Sequence, residues 1–198
     1  MNDGDTADDI MGATYRALCT HGYADLTMQD IADESDKSKA SLHYHYDSKH
    51  DLLCAFLEYL YDGFVDRVED PEGEDPRARL LALVDAVLDK PDDASEAFGT
   101  AILEIRAQAP YEPGFRERLT RFDEFLVDEL EAILEDGVAD GTFDDGVDPE
   151  ETARFVVTVL TGAATERVTA GRPTECTRRM LAEYVETHLL AESPEVEA

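Results

Sequence analysis

Apolar positions recur at helical spacing along almost the whole chain. Ile10, Ala13, Ala17 and Leu18 share one face of a helix running from about Ala7 to Thr20, with residues 1–6 expected to fray. Gly22 stands where a left-handed C-terminal cap is needed, and Tyr23 and Leu26 then return apolar surface to the helix. Thr27 has a hydroxyl placed to cap the next helix, and Asp30 at the third helical position favours a helix N-terminus. That helix, Met28 to about Glu34, buries Met28, Ile31 and Ala32. Ser35-Asp36-Lys37 makes a turn, and Ser38 caps a third helix to about Tyr46, with Leu42 and Tyr46 facing inward. Ser48, with Asp51 three residues on, caps a fourth helix carrying Leu52, Leu53, Phe56, Leu57, Leu60, Tyr61, Phe64 and Val68. At about 20 residues it spans roughly 30 Å, enough to join two domains.

The cluster Glu69 to Pro76 is rich in breakers and reads as an exposed loop. Helices follow at about 77–90, 94–108, 113–139, 149–170 and 174–190, punctuated by Pro91, Pro110, Pro113, Pro149 and Pro173 and by Gly137, Gly141, Gly146 and Gly171. One carries Phe98, Ala101, Ile102 and Ile105; another carries Phe115, Leu119, Phe122, Leu126, Leu130 and Ile133. No segment alternates with period two. The predicted fold class is all-α, with a three-helix N-terminal domain over residues 1–50, a larger helical domain over 51–191 and a disordered tail over 192–198. Within the first domain, two short helices joined by a tight turn match the helix-turn-helix plan.

Composition narrows the function classes. A chain of 198 residues that is 43% hydrophobic can bury a sizeable core. No apolar run is long enough for a membrane span, and the acidic start MNDGDTADD is unlike a secretory signal, so a cytoplasmic protein without a membrane partner is expected. Cys19, Cys54 and Cys176 are widely spaced and read as buried free thiols. The 47 acidic residues outnumber the 17 Lys and Arg and are spread over every segment, giving a formal charge of -30. Such a surface, poor in lysine, resembles those of proteins from cells with molar internal salt, where the Debye length falls to about 3 Å.

The charge is not uniform. Three of the four lysines, Lys37, Lys39 and Lys49, lie between Thr27 and Lys49, and no acid occurs from Lys37 to Tyr46. From Lys37 to His50 the lysines face only Asp47, with His43, His45 and His50 as further donors, although residues 1–50 as a whole hold four basic residues against ten acidic. A surface meeting DNA requires such a local exclusion, since duplex carries one negative charge per about 1.7 Å. An acid-free stretch of ten residues also arises in a merely solvated helix, so the gap alone does not decide. His43 and His45, at i and i+2, do not share a helix face, and His50 lies beyond the next cap, so no metal site is expected. No phosphate-cradling glycine loop or nucleophile elbow occurs, and the chain reads as a non-enzyme without a cofactor.

The register Gly22, Tyr23, Thr27, Ile31, Ala32, Ser38, Ser41, Leu42, Tyr44, His45, Tyr46, Ser48, Lys49, Leu52 and Leu53 resembles, without a gap, the DNA-binding domain of TetR/AcrR-family transcriptional regulators. The resemblance covers about residues 7–55. It departs at the turn, where the family's usual Ala-Gly-Val is Ser35-Asp36-Lys37, and at His43, where a tyrosine is common. It implies that Lys39, Ala40 and Ser41 approach base edges in the major groove, and that Thr27, Tyr44, His45 and Lys49 bind the backbone of double-stranded DNA. Lys37, Ser38 and His43 complete the implied surface.

The last two helices carry faces suited to close pairing: Ala153, Val156, Val157, Leu160, Ala163 and Ala164 on one, and Leu181, Tyr184, Val185, His188 and Leu189 on the other. The resemblance implies a homodimer joined by a four-helix interface, with Val156, Leu160, Ala163, Ala164, Leu181, Tyr184, Val185 and His188 facing the second copy. Two recognition helices about 34 Å apart would then read a pseudo-palindromic operator. The resemblance also implies a cavity for a small-molecule effector, with Phe98, Ile102, Ile105, Phe122, Phe125 and Phe155 as candidate lining, although a stripe of Phe is core more often than pocket. The expected function is a ligand-released repressor. The alternative is a helical small-molecule-binding protein without DNA binding.

Overall fold

The computed structural model describes residues 3–35, 37–89 and 96–191. Readings that rest on Asp36, on Lys90 or on the tail 192–198 fall outside these residues. The helices are α1 (Asp3–Asp25), α2 (Met28–Asp33), α3 (Lys39–His45), α4 (Lys49–Val68), α5 (Pro76–Leu88), α6 (Glu96–Gln108), α7 (Pro113–Asp140), α8 (Pro149–Ala170) and α9 (Glu175–Tyr184), the last continued by a π-helical turn, Val185–Leu189. The all-α class holds. The only sheet-like pairing among the described residues is one isolated antiparallel bridge, Phe143 to Leu190. No helix among the described residues is long and apolar enough to cross a membrane.

Helix α1 starts at Asp3 rather than Ala7, no proline standing in the way of its first turn. Near its end Gly22 does take a positive φ, 68°, but with ψ 176°, an extended conformation open essentially to glycine alone. The chain therefore leaves the helix axis at Gly22 instead of curling into the expected left-handed cap.

The helices gather into two compact units, neither a continuous segment. The first holds α1 to α3, α4 as far as Phe64, α6, and α7 as far as Phe122. Its core joins Ile10, Ala13, Ala17 and Leu18 of α1 to Ile31 and Leu42 of the short helices, Leu52, Leu53 and Phe56 of α4, Ala101 and Ile105 of α6, and Phe115 of α7. Each such large apolar side chain contributes about 1.5–3 kcal/mol on burial. Helix α6 packs along α1, and Phe98 meets Tyr15 at 4.5 Å and Phe56 at 6.2 Å between ring centroids. Ile105 thus lies in the core beneath the N-terminal helices, with Phe98 and Ile102 packed against it. Phe122 sits in the same unit against Tyr61 (5.2 Å) and Phe64 (5.4 Å).

The second unit holds the end of α4 from Val65, α5, α7 from Asp123, α8, α9 and the π-helical turn. Asp75 and Asp148 cap α5 and α8 through the amides of Ala78 (2.7 Å) and Glu151 (3.0 Å). Leu80, Leu83, Leu130, Ile133, Phe143, Ala153 and Leu160 fill the core. Phe125 is half-buried here. Arg167 donates to the Leu88 carbonyl at 3.0 Å, satisfying the end of α5. Arg178 pairs with Asp85 and Asp89, and Arg79 with Asp136. Cys54 of the first unit is buried as expected, but Cys176, in the first turn of α9, is exposed.

Two expectations for this unit are corrected. Val156, Leu160, Leu181 and Val185 are only 2, 1, 4 and 2% exposed, because α8 packs on α5 and α9 and spends that face inside the chain. Phe155 is 47% exposed, its ring 5.3 Å from that of Tyr184, and so does not line an enclosed cavity. The outward side of α8 and α9 carries Phe155, Met180 (52% exposed) and His188, with Ala163, Ala164 and Tyr184 half-buried.

A close approach fixes one glycine. A Cβ at Gly137, inside α7, would overlap the buried ring of Phe143. Gly137→Ala should therefore destabilise by about 1–3 kcal/mol through overpacking. Melting followed by circular dichroism should fall by roughly 2–4 °C per kcal/mol. Adding Phe143→Ala should cost less in this background than in the wild type, since the clash goes with the ring.

Candidate nucleic-acid interface

Local hydrogen bonds place α2 and α3. The amide of Asp30 donates to Thr27 Oγ1 at 3.3 Å, while the Thr27 amide and hydroxyl donate to Asp30 Oδ2 at 2.8 and 2.6 Å. This reciprocal box satisfies amides that the first turn of a helix leaves unpaired. The hydrogen bonds from Thr27 hold the Asp30 carboxyl below its ordinary 3.8. Ser38 caps α3 by accepting from the Ser41 amide at 3.2 Å, and Ser48 caps α4 by accepting from the Asp51 amide at 3.1 Å.

The turn between α2 and α3 is built on Ser35. Its hydroxyl lies 3.1 Å from the Ala32 carbonyl as donor and accepts from the Lys37 amide at 3.1 Å. Arg16 of α1 reaches the same end of α2: Nη2 donates to the Glu34 carbonyl at 2.7 Å, and Nε pairs with Glu34 Oε2 at 3.3 Å. One guanidinium thus both caps α2 and offsets an acid beside the turn. Sequence reasoning missed this role, although Arg16 is the only Lys or Arg before Lys37.

Between these supports α3 turns Leu42 fully into the core, and Tyr46, just past its end, is half-buried against it. Burial pushes the Tyr46 hydroxyl up from its ordinary value. The other sides of α3 face solvent. Thr27, Ser38, Lys39, Ala40, His43, Tyr44 and His45 are exposed, Tyr44 to 85%, and Lys37 and Ser41 are half-buried. Lys39 makes no ion pair among the described residues. The structure therefore brings nine of the ten candidate residues to the capped helix pair and its turn. An exposed helix bearing a cation, hydroxyls and imidazoles can donate to phosphate oxygens and to the acceptor edges of bases.

Lys49 differs. Its ammonium donates to the Tyr23 carbonyl at 3.0 Å and lies 4.8 Å above the Tyr23 ring. Burial lowers its pKa, opposed by the nearby charge of Asp25. On the other side of the same residue, Glu104 of α6 accepts from the Tyr23 amide at 2.6 Å. Glu104 was not a candidate, and its 81-residue separation from Tyr23 left no local signal. Among the described residues no group of three or more His, Cys, Asp and Glu is placed to hold a metal.

Comparison with known proteins agrees with this fold. The profile of bacterial regulatory proteins of the tetR family matches residues 10–56, and that of the C-terminal domain of BetI-type transcriptional repressors matches residues 76–190. The crystal structure of a TetR transcription regulator from Haloarcula marismortui is 45% identical, superposes with a TM-score of 0.88, and the match covers 94% of this chain and 99% of that one. The HTH-type transcriptional repressor KstR2 of Rhodococcus jostii is 31% identical over 167 residues, 76% of this chain and 78% of the repressor. A transcriptional regulator from Saccharomonospora viridis, solved in complex with choline, shares the fold with a TM-score of 0.80 at 22% identity, over 96% of this chain and all of that one.

The capping box sets a pH dependence. The lowered Asp30 carboxyl contributes stability that is present above the unfolded-state value and lost as pH falls through the folded-state value. Thr27→Ala should cost about 1 kcal/mol near neutrality. Its melting deficit against wild type should hold down to about pH 4 and narrow below that, as Asp30 takes up its proton, leaving the part that comes from the bond between the Asp30 amide and the Thr27 hydroxyl.

Proposed function

The chain belongs to the TetR family of transcriptional regulators, and on that premise we propose how it meets DNA, a second copy and an effector. It binds a pseudo-palindromic operator as a homodimer and represses until a small molecule releases it. Residues 1–50 form the DNA-binding domain, and residues 51–191 bind the effector and pair the copies. The observation that carries the reading is the exposed, acid-free face of Lys37 to Tyr46 on a chain of charge -30.

On that face Lys39, Ala40 and Ser41, in the first turn of α3, read base edges; the Ala40 methyl suits a thymine methyl. Thr27, Lys37, Ser38, His43, Tyr44 and His45 contact the phosphate backbone. Pairing uses the outward side of α8 and α9, where Phe155, Met180 and His188 are exposed and Ala163, Ala164 and Tyr184 are half-buried. The protein works in a cytoplasm of molar salt, which the spread of acid and the likeness to the Haloarcula marismortui regulator both support.

Selection of bound duplexes from a random pool in roughly 2 M KCl, where the Debye length is under about 3 Å, tests the reading. It should enrich an inverted repeat whose half-sites are about 10 base pairs, or a multiple of one turn, apart. Lys39→Glu, with an unchanged melting temperature, should enrich nothing. No enrichment by wild type at any salt, or enrichment indifferent to Lys39→Glu, would favour a helical small-molecule binder instead. Sedimentation should give a dimer for wild type and a monomer for Phe155→Glu/Met180→Glu, each introduced carboxylate being unpaired at the contact.

A further inference from the structure

The backbone of one residue of the first compact unit, Tyr23, is gripped from two sides by charges of opposite sign. The N–H of Tyr23 is held by the Glu104 carboxylate of α6 at 2.6 Å, and its C=O by the Lys49 ammonium of α4 at 3.0 Å. The preceding residue, Gly22, has the glycine-only backbone that lets the chain leave α1 there, and a Cβ on it would come within 3.0 Å of Glu104 Oε2. The Tyr23 ring fills the space between, 4.8 Å below the Lys49 ammonium and edge-on to Phe115 at 6.0 Å. Four residues later Thr27 opens α2, and Lys49 itself opens α4 directly after α3. Three helices thus meet at the residue that leads into the DNA-facing pair.

We propose that Lys49 and Glu104 are positioning residues that clamp the Tyr23 backbone and so set the seating of α2 and α3 on DNA, with Lys49 not itself a phosphate contact. The proposal rests on the DNA-binding reading above. Its chemistry is specific. A carboxylate accepting from an amide and an ammonium donating to a carbonyl are charge-assisted bonds, stronger than neutral ones. They hold the two peptide planes that flank the Tyr23 Cα, one through its N–H and the other through its C=O, so together they fix the backbone of that residue and loss of either frees the same hinge. Any displacement of α6 along α1 reaches α2 through this joint.

The test compares Lys49→Met, which keeps the apolar stem, and Glu104→Ala, singly and together, on the duplex selected by wild type. Each should weaken binding about tenfold, the equivalent of about 1.4 kcal/mol, and the double variant little further, because both act by fixing the backbone of one residue. The slope of log affinity against log salt should match wild type. A lost phosphate contact would instead reduce it by about 0.9. Glu104→Gln, which keeps an acceptor, should recover most of the loss, and it carries the comparison should Glu104→Ala not fold. A reduced slope for Lys49→Met with normal binding by the Glu104 variants would overturn the proposal, as would additive losses. If wild type selects no duplex, the DNA-binding reading fails separately. The clamp is then judged by hydrogen exchange of the Tyr23 amide: faster exchange in a folded Glu104 variant supports it, and an unchanged rate overturns it.

Discussion

The governing constraint is electrostatic. A chain of formal charge -30 has to meet DNA, and long-range forces oppose the encounter. Attraction can come only from contacts short enough to act inside the screening distance, which molar salt cuts to about 3 Å. The protein meets this by placement. The chain's scarce lysines are concentrated in and around α3, acid is absent from Lys37 to Tyr46, and Glu34, just past the end of α2, is paired with Arg16. Asp30 and Asp51, also close by, are occupied as capping partners of Thr27 and Ser48. Acid near the interface is thereby put to structural use.

That arrangement depends on packing laid down elsewhere in the chain. Helices α2 and α3 have six and seven residues, too short to persist alone in water. They hold because Ile31 and Leu42 are fully buried against α1 and α4, and α1 is in turn backed by α6 through Ala101, Ile105 and Phe98. The DNA-facing module is therefore completed by a helix that arrives some fifty residues after it. The first compact unit accordingly draws on two separate stretches of chain.

Local features were legible from sequence and distant ones were not. Thr27, Ser38 and Ser48 could be read as caps because each acts on an amide within three residues, and Leu42 could be read as core because helical spacing ties it to its neighbours. Pro113, Pro149 and the Gly171 stop marked helix ends for similar reasons. By contrast, periodicity reveals that a face is apolar but not what covers it. Val156, Leu160, Leu181 and Val185 looked fit for a second copy and were taken by the chain's own core, leaving Phe155 outward. The stripe of Phe98, Ile102 and Ile105 likewise gave no sign that α1 lay over it. Lys49 fell in the position of a phosphate contact, and only the Tyr23 carbonyl, 26 residues away, explains where its ammonium goes. Glu104 and Arg16 belong to the same class: charged residues whose partners are close in space and remote in sequence.

The central claim is that local cation–phosphate contacts, rather than net charge, govern the encounter. It is tested most directly by the affinity of wild type for its selected duplex from about 1 to 4 M KCl, over the range where circular dichroism shows the fold unchanged. Short-range contacts release counterions, so the logarithm of the association constant should fall linearly with the logarithm of salt, at a slope of about -0.9 per phosphate contact. An affinity that keeps rising with salt across that range would mean that the net charge still governs binding, and would contradict the account.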